Sequence, residues 1–346
     1  MATSSIPIFF IGATGYLGGS ILARLLIHPR ANEFDITAIV RSSEKASGLQ
    51  SQFGVKTVVG SISDLDKLED LSAQSHIVFS CADSDNLDAI KAICRGLKKR
   101  RVTAGETPIF IHTSGTAVII DDARGLHPTD IIYNDLNADQ IESIPPTAFR
   151  RNVDLAIAEA DKEGYLTSYI VIPSTIWGVP STPLIDAGLQ KTSSIQIPML
   201  IKAALGMSQG GVVGKGVGQW GDVHIDDVAD LYIVLLDAIL ANPGTVGHGR
   251  EGYYFVENGE HTWYDISKEI AKALYDLGRG KSPEPTTFTS EELTKYFGSE
   301  MFGNFFGTNA RCRANRGRAL GWKPVKTTAE MLTGIRTEVE RVIAES

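Results

Sequence analysis

The stretch "IFFIGATGYLGGSILARLL", Ile8 to Leu26, decides how this chain is read. It opens on a short apolar run and passes into Gly12, Gly15 and Gly18 at G-x-x-G-x-x-G spacing. A helical pattern, "GGSILARLLIH", follows directly. Strand, glycine turn and helix in that order make a site for a pyrophosphate. Gly12 lets the chain turn sharply, Gly15 brings the backbone close to the phosphates, and Gly18 allows tight packing of helix on strand. The helix start, at Thr14, Gly15, Tyr16 and Leu17, adds free N–H groups and partial positive charge. A dinucleotide is the expected ligand.

The same alternation continues outward. "FDITAIVR", "VKTVVGSI", "HIVFSCA" and "TPIFIHTSG" read as apolar strands, separated by helical "SEKASGLQSQF", "DLDKLEDLSA" and "NLDAIKAICRGL". Such strands are buried on both faces, so the expected fold class is α/β, a doubly wound parallel sheet. Ligands then sit beyond the carboxyl ends of the strands. After Gly115 a proline-punctuated segment leads to a helix, "FRRNVDLAIAEADKEG", and a strand, "SYIVIPSTIWG". "GMSQGGVVGKGVGQWG" carries seven glycines in sixteen residues, too many for a helix interior. The expected division is a dinucleotide-binding domain over 1–178, with 219–250 returning to it. A smaller, mostly C-terminal substrate domain takes 179–218 and 251–346.

Composition narrows the partners. With 41 acidic residues against 33 basic ones the formal charge is −8, which argues against nucleic acid or an anionic membrane. "KKRR", Lys98 to Arg101, closes a helix whose dipole it complements, and "RCRANRGR", Arg311 to Arg318, reads as a surface or internal ion-pair source. No window approaches the length of a membrane span and no targeting segment is apparent. Cys81, Cys94 and Cys312 are few and widely separated, as in a reducing compartment, so a cytoplasmic location is expected. "HIDD" (His224, Asp226, Asp227) has no second histidine at ligand spacing and reads as a helix cap, so no metal is expected.

The end of the second strand bears on the cofactor. An acid there would bind the ribose 2′-hydroxyl of NAD, but "IVRSSEK" places Arg41 at that position, with Lys45 nearby. A guanidinium pairs with a 2′-phosphate and a carboxylate repels one, so NADP is expected rather than NAD.

Together these motifs resemble the extended and atypical short-chain dehydrogenase/reductase families, the epimerase/dehydratase-like proteins of Rossmann fold, over nearly the whole chain. "GATGYLGG" resembles their cofactor turn, and "VVGSISD" the segment whose Asp64 lies near the adenine. "VFSCADSDN" resembles the segment whose Cys81 and Ala82 pass the cofactor ribose, and "IHTSGT" the strand that delivers a serine, Ser114. "VIPSTIWG" is similar to the segment in which Pro173 and Ser174 approach the nicotinamide, and "VHIDDVAD" and "LGWKP" resemble markers of the C-terminal part.

The resemblance implies hydride transfer at a carbonyl or carbinol carbon, with a serine on the substrate oxygen. A Tyr-x-x-x-Lys pair on the next helix would handle the proton. That pair is missing: "FRRNVDLAIAEA" offers Phe149 with Val153, Arg150 with Asp154, or Ala148 with Asn152. Phe149, Val153, Ala156, Ile157 and Ala160 form an apolar stripe expected to pack. Arg150 could supply the lysine's charge, and the loop residue Tyr133 is the nearest phenol. "YDISK", Tyr264 to Lys268, lies far beyond Ser114 inside another amphipathic helix and reads as a decoy.

The leading expectation is an NADP(H)-dependent oxidoreductase acting on a small-molecule carbonyl or alcohol substrate. An epimerase or dehydratase is the first alternative, and a non-catalytic NADP(H)-sensing protein the second. A homodimer is a further candidate association.

Overall fold

In the computed structural model, which describes residues 5–345, Ile6–Ile11 forms strand β1 at the heart of a parallel sheet. The others are β2 (Phe34–Val40), β3 (Lys56–Val59), β4 (Ile77–Ser80), β5 (Ile109–Thr113), β6 (Thr167–Pro173) and β7 (Tyr253–Val256). Among the described residues this sheet has seven strands, ordered β7-β6-β5-β4-β1-β2-β3. Every neighbouring pair is parallel, with Ile8 opposite both Ile36 and Ile77, and Ile111 opposite Phe79 and Tyr169. Ile8, Phe9, Phe10, Phe79 and Phe110 are wholly buried, and Phe10 stacks on Phe79 at 5.4 Å. Each such side chain contributes roughly 1.5–3 kcal/mol of burial, which is why the central strands are apolar on both faces.

Helices cover both sides. α1 (Tyr16–Leu26) packs with α6 (Ile225–Ala241) on one face. α3 (Leu65–Ala73), α4 (Leu87–Ala104) and α5 (Arg151–Lys162) pack against one another on the other. α2 (Ser43–Phe53) leans on β3. Local chemistry sets several ends: Ser42 caps α2 and Asn86 caps α4 through their side chains, and left-handed Gly54 and Gly105 stop them. The strand order reverses between β1 and β4, so the crevice of the doubly wound fold opens where the glycine turn meets the loop after β4.

A second sheet joins Thr175–Trp177 and Gln219–His224, both from stretches expected in the dinucleotide-binding domain, to Glu260–Thr262 from the stretch expected in the substrate part, with Gln219–His224 in the middle. Trp220, Trp263, Phe305 and Phe306 pack around it with ring centroids 4.9–5.5 Å apart. Tyr253–Val256, inside the stretch 251–346 given to that part, is instead the outer strand of the main sheet. The ends of the expected ranges, 1–4 and 346, lie outside the described residues.

The motifs "VHIDDVAD" and "LGWKP" meet in space. His224 caps α6, Asp227 accepts the Val325 and Lys326 N–H groups at 3.1 and 2.9 Å, and the Trp322 indole donates to the Asp227 carbonyl. The basic stretch at 311–318 feeds internal ion pairs, with Arg311 and Arg313 on Glu260 and Arg318 on Glu257. Lys98 and Lys99 pair with Glu163 and Glu69 at the surface. Among the described residues no helix is long and apolar enough to cross a membrane, and no cluster of metal-ligating side chains is present.

Candidate active site

The glycine turn is built to exclude side chains. Gly12 has φ +92°, and a Cβ there would stand 2.8 Å from the Cys81 carbonyl oxygen. A Cβ on Gly18 would stand 2.1 Å from the Gly12 carbonyl oxygen. Gly15 donates its N–H to that same oxygen at 2.9 Å and, as N-cap of α1, offers the first turn no side-chain acceptor. The opening N–H groups of α1, including those of Tyr16 and Leu17, thus face an open cradle of the kind that takes an anion.

Neighbouring groups hold this cradle in shape. The Tyr16 hydroxyl donates to the Gly178 carbonyl at 2.6 Å, and Gln190 donates to the Tyr16 carbonyl and the Ser20 hydroxyl. Thr14 accepts the Lys191 N–H at 3.2 Å. Cys81 and Ala82 follow β4 and are half-buried. Burial pushes the Cys81 thiol up to about 12, with the Thr113 hydroxyl acting weakly against it, so this residue packs and does not attack. Arg41 follows β2 and is exposed, Lys45 lies half-buried in α2, and neither has a carboxylate partner among the described residues. Asp64 turns back on its own loop, accepting from the Ser61 N–H and hydroxyl at 2.6 and 3.0 Å. Those bonds, with Lys67, hold its carboxyl below the usual range.

A second group gathers beyond β5 and β6. Ser114 is 4% exposed, donates its N–H to the Val171 carbonyl, and its hydroxyl has no hydrogen-bond partner. A Cβ on Gly115 would lie 2.9 Å from Nη1 of Arg150 and 3.8 Å from the Pro173 carbonyl oxygen. The Arg150 guanidinium therefore rests on the turn that carries Ser114. Its Nε is 2.5 Å from Oδ1 of Asp85, in the loop after β4, and its Cζ stands 4.8 Å from the Phe149 ring centroid. Asp85 holds the guanidinium in place, a role with no local signal because the contact joins loops from two distant strands.

Other expected residues sit differently. The Ser174 hydroxyl faces the Cys312 thiol at 3.4 Å, in the C-terminal part. Tyr133 pairs through its backbone with Cys312 as a short bridge, and its phenol contacts neither Ser114 nor Arg150 among the described residues. The apolar stripe needs correction. Arg150 adopts left-handed φ +67°, so α5 starts after it and Phe149 falls outside the helical face, 44% exposed. The buried face carries Val153, Ile157 and Ala160 together with two polar residues, Arg151 and Asp154. Asp154, noticed in the sequence only as part of a register lacking a phenol, is fully buried.

Tyr264 and Lys268 both bind Glu284, on the flank of the helix Trp263–Asp276. Substituting Tyr264→Phe together with Lys268→Met is therefore expected to leave dinucleotide affinity unchanged within twofold; fluorescence titration with NADH and NADPH checks this, and a larger loss would return the pair to the site.

Comparison with known proteins agrees with this geometry at the level of cofactor and fold. Residues 12–105 match a family described as NAD(P)H-binding. The chain is 28% identical over 334 residues to the oxidase ucsJ of an Acremonium species, covering 92% of each chain. It is 25% identical over 328 residues to an uncharacterised Schizosaccharomyces pombe protein, covering 93% of this chain and 96% of that one. Among solved structures it is similar to a Bacillus anthracis dTDP-glucose 4,6-dehydratase in complex with NAD. That likeness has TM-score 0.63 at 15% identity, covering 97% of each chain. It is also similar to a Thermotoga maritima UDP-glucose 4-epimerase with UDP-glucose, at TM-score 0.62 and 12% identity, covering 98% of this chain and 100% of that one. These structures share the fold with this chain, and the match to the NAD(P)H-binding family covers residues 12–105.

Proposed function

We propose that the protein is an NADP(H)-dependent oxidoreductase that moves hydride between the nicotinamide and a small carbonyl or alcohol substrate. The observation that carries this reading is the Arg150 guanidinium docked on Gly115 beside the unpartnered Ser114 hydroxyl. The residues suited to hold the dinucleotide are Gly12, Thr14, Gly15, Tyr16, Leu17 and Gly18 at the pyrophosphate, with Cys81 and Ala82 along the ribose and Pro173 toward the nicotinamide. The bound cofactor supplies the hydride.

The chain does the rest. Ser114 orients the substrate oxygen by hydrogen bonding. Arg150 offers a fixed positive charge to the same oxygen as negative charge develops on it. Two unit charges about 4 Å apart at a partly buried site interact by roughly 4 kcal/mol, enough to matter for turnover. Asp85 keeps that charge in position, and arginine, which does not give up its proton, serves as an electrostatic group only. The 28% identity to an oxidase over nearly the whole chain supports redox chemistry.

The reading favours NADP over NAD because Arg41, exposed and without a carboxylate partner among the described residues, follows β2, the strand whose end contacts the ribose in this fold. Arg41→Ala is expected to weaken NADPH binding about tenfold, as loss of one exposed charge-assisted contact, and to leave NADH binding as it was. Parallel fluorescence titrations check this, and equal losses for both cofactors would overturn the preference.

A further inference from the structure

His112 on β5, Ser114 just after it and Asp154 on α5 are buried polar residues set among apolar neighbours. All three are buried, and the Ser114 hydroxyl, both His112 ring nitrogens and both Asp154 carboxyl oxygens lack hydrogen-bond partners among the described residues. Buried polar atoms left unpaired destabilise a fold, because their water partners are lost without replacement. Here they cluster at the end of the strand that delivers Ser114. That location points to chemistry and not to packing.

The groups facing Asp154 come from three elements. α5 and its start contribute Arg151 and Arg150, the turn after β5 contributes Ser114, and β7 contributes Tyr253; His112 lies on β5 two residues before Ser114, beside the Arg150 charge. Arg151 donates to the Tyr253 hydroxyl at 3.1 Å and to the Ile141 carbonyl at 3.0 Å, and Arg150 is paired with Asp85. Neither arginine forms an ion pair with Asp154. The Ser114 hydroxyl lies against the Asp154 carboxyl without completing a hydrogen bond.

We infer that Asp154 is the proton-holding group of this site, passing a proton through the Ser114 hydroxyl to the substrate oxygen in place of the phenol this helix lacks. The inference rests on the hydride-transfer reading above. A carbonyl carbon that takes hydride from a dihydronicotinamide leaves its oxygen as an alkoxide. The Ser114 O–H bond breaks toward that oxygen, and the Asp154 O–H bond breaks toward Ser114 Oγ. The remaining carboxylate stands near the Arg150 and Arg151 charges until water reprotonates it. Asp154 touches no substrate and acts as a relay residue behind Ser114.

The electrostatics agree. Burial pushes the Asp154 carboxyl up to about 7, with Ser114, Arg151 and Arg150 each acting against that rise. Burial and the Arg150 charge push His112 down to about 3, so it stays neutral and holds no spare proton. Burial also pushes Tyr253 up to about 12. Asp154 is thus the one member of the group poised near neutral pH.

Two measurements test the relay. In the first, infrared spectra of the protein without cofactor are followed against pH. A protonated-carboxyl stretch is expected that fades as pH rises through neutrality, is absent in Asp154→Asn, and titrates higher in Ser114→Ala. A spectrum unaltered by Asp154→Asn overturns the proposal. In the second, a panel of aldehydes and ketones is reduced with NADPH. Asp154→Asn is expected to lower kcat roughly 100-fold and to flatten its fall with rising pH, while NADPH affinity is unchanged. Asp154→Glu is expected to restore that pH dependence. If the wild type reduces no carbonyl, the hydride-transfer reading fails and the relay with it. If the wild type turns over and Asp154→Asn keeps the same pH profile, the relay alone fails.

Discussion

Arg150→Leu is expected to lower kcat for carbonyl reduction by roughly 100- to 1,000-fold, the usual cost of removing one preorganised donor from a developing oxyanion. NADPH affinity should change little, because the guanidinium sits on Gly115 and Asp85 and not on the glycine turn. Arg150→Gly sharpens the test. A left-handed backbone costs a residue with a side chain about 1–2 kcal/mol, and glycine is free of that cost. Arg150 holds φ +67°, and the half-exposed pair it would lose with Asp85 contributes about 0–1 kcal/mol. Arg150→Gly should therefore unfold no earlier than the wild type while losing the same activity. A thermal melt and a steady-state assay on the two variants decide the matter. Retained activity in Arg150→Gly would remove Arg150 from the chemistry.

Gly18→Ala is expected to destabilise the protein by about 3 kcal/mol, the upper end of overpacking costs, and to abolish dinucleotide binding. The added Cβ would stand 2.1 Å from the Gly12 carbonyl oxygen, and that atom is backbone, which cannot swing aside. Relief requires α1 to lift off the turn, and the pyrophosphate cradle opens with it. Gly334→Ala is the matched control. Gly334 lies exposed in the helix Thr328–Ala344 with nothing within 4 Å of an added Cβ. That substitution should stabilise by about 0.4–1 kcal/mol through the unfolded chain. Chemical denaturation of both variants, with NADPH titration, checks the contrast. Equal stabilities would mean that the turn tolerates movement of α1.

Much of this molecule follows from short-range chemistry. Ile8 to Leu26 prescribes a buried strand, a turn that only glycine can make and a helix start open to an anion, because burial, φ and unpaired N–H groups are properties of a few successive residues. The same holds for the alternation that builds the parallel sheet, and for the helix cap that "HIDD" supplies. The glycine spacing points to a dinucleotide for a related reason, because it acts through the backbone at one strand end, and the proposed choice of NADP rests on the charge of Arg41 at the end of the next strand.

The reactive half needed the fold. Arg150 reached Gly115 only because its own backbone turned left-handed and Asp85, from another loop, held its guanidinium. That reversal set the start of α5, dropped Phe149 from the buried face and turned Asp154 inward beside Ser114. A helical-period count run through Phe149 cannot anticipate a register broken by one residue's φ. Tyr264 and Lys268, spaced as a catalytic pair, were drawn off by Glu284 across the surface. Local sequence determined the cradle for the dinucleotide. Which side chains stand over it was decided by contacts between residues far apart in the chain, where spacing carries no information.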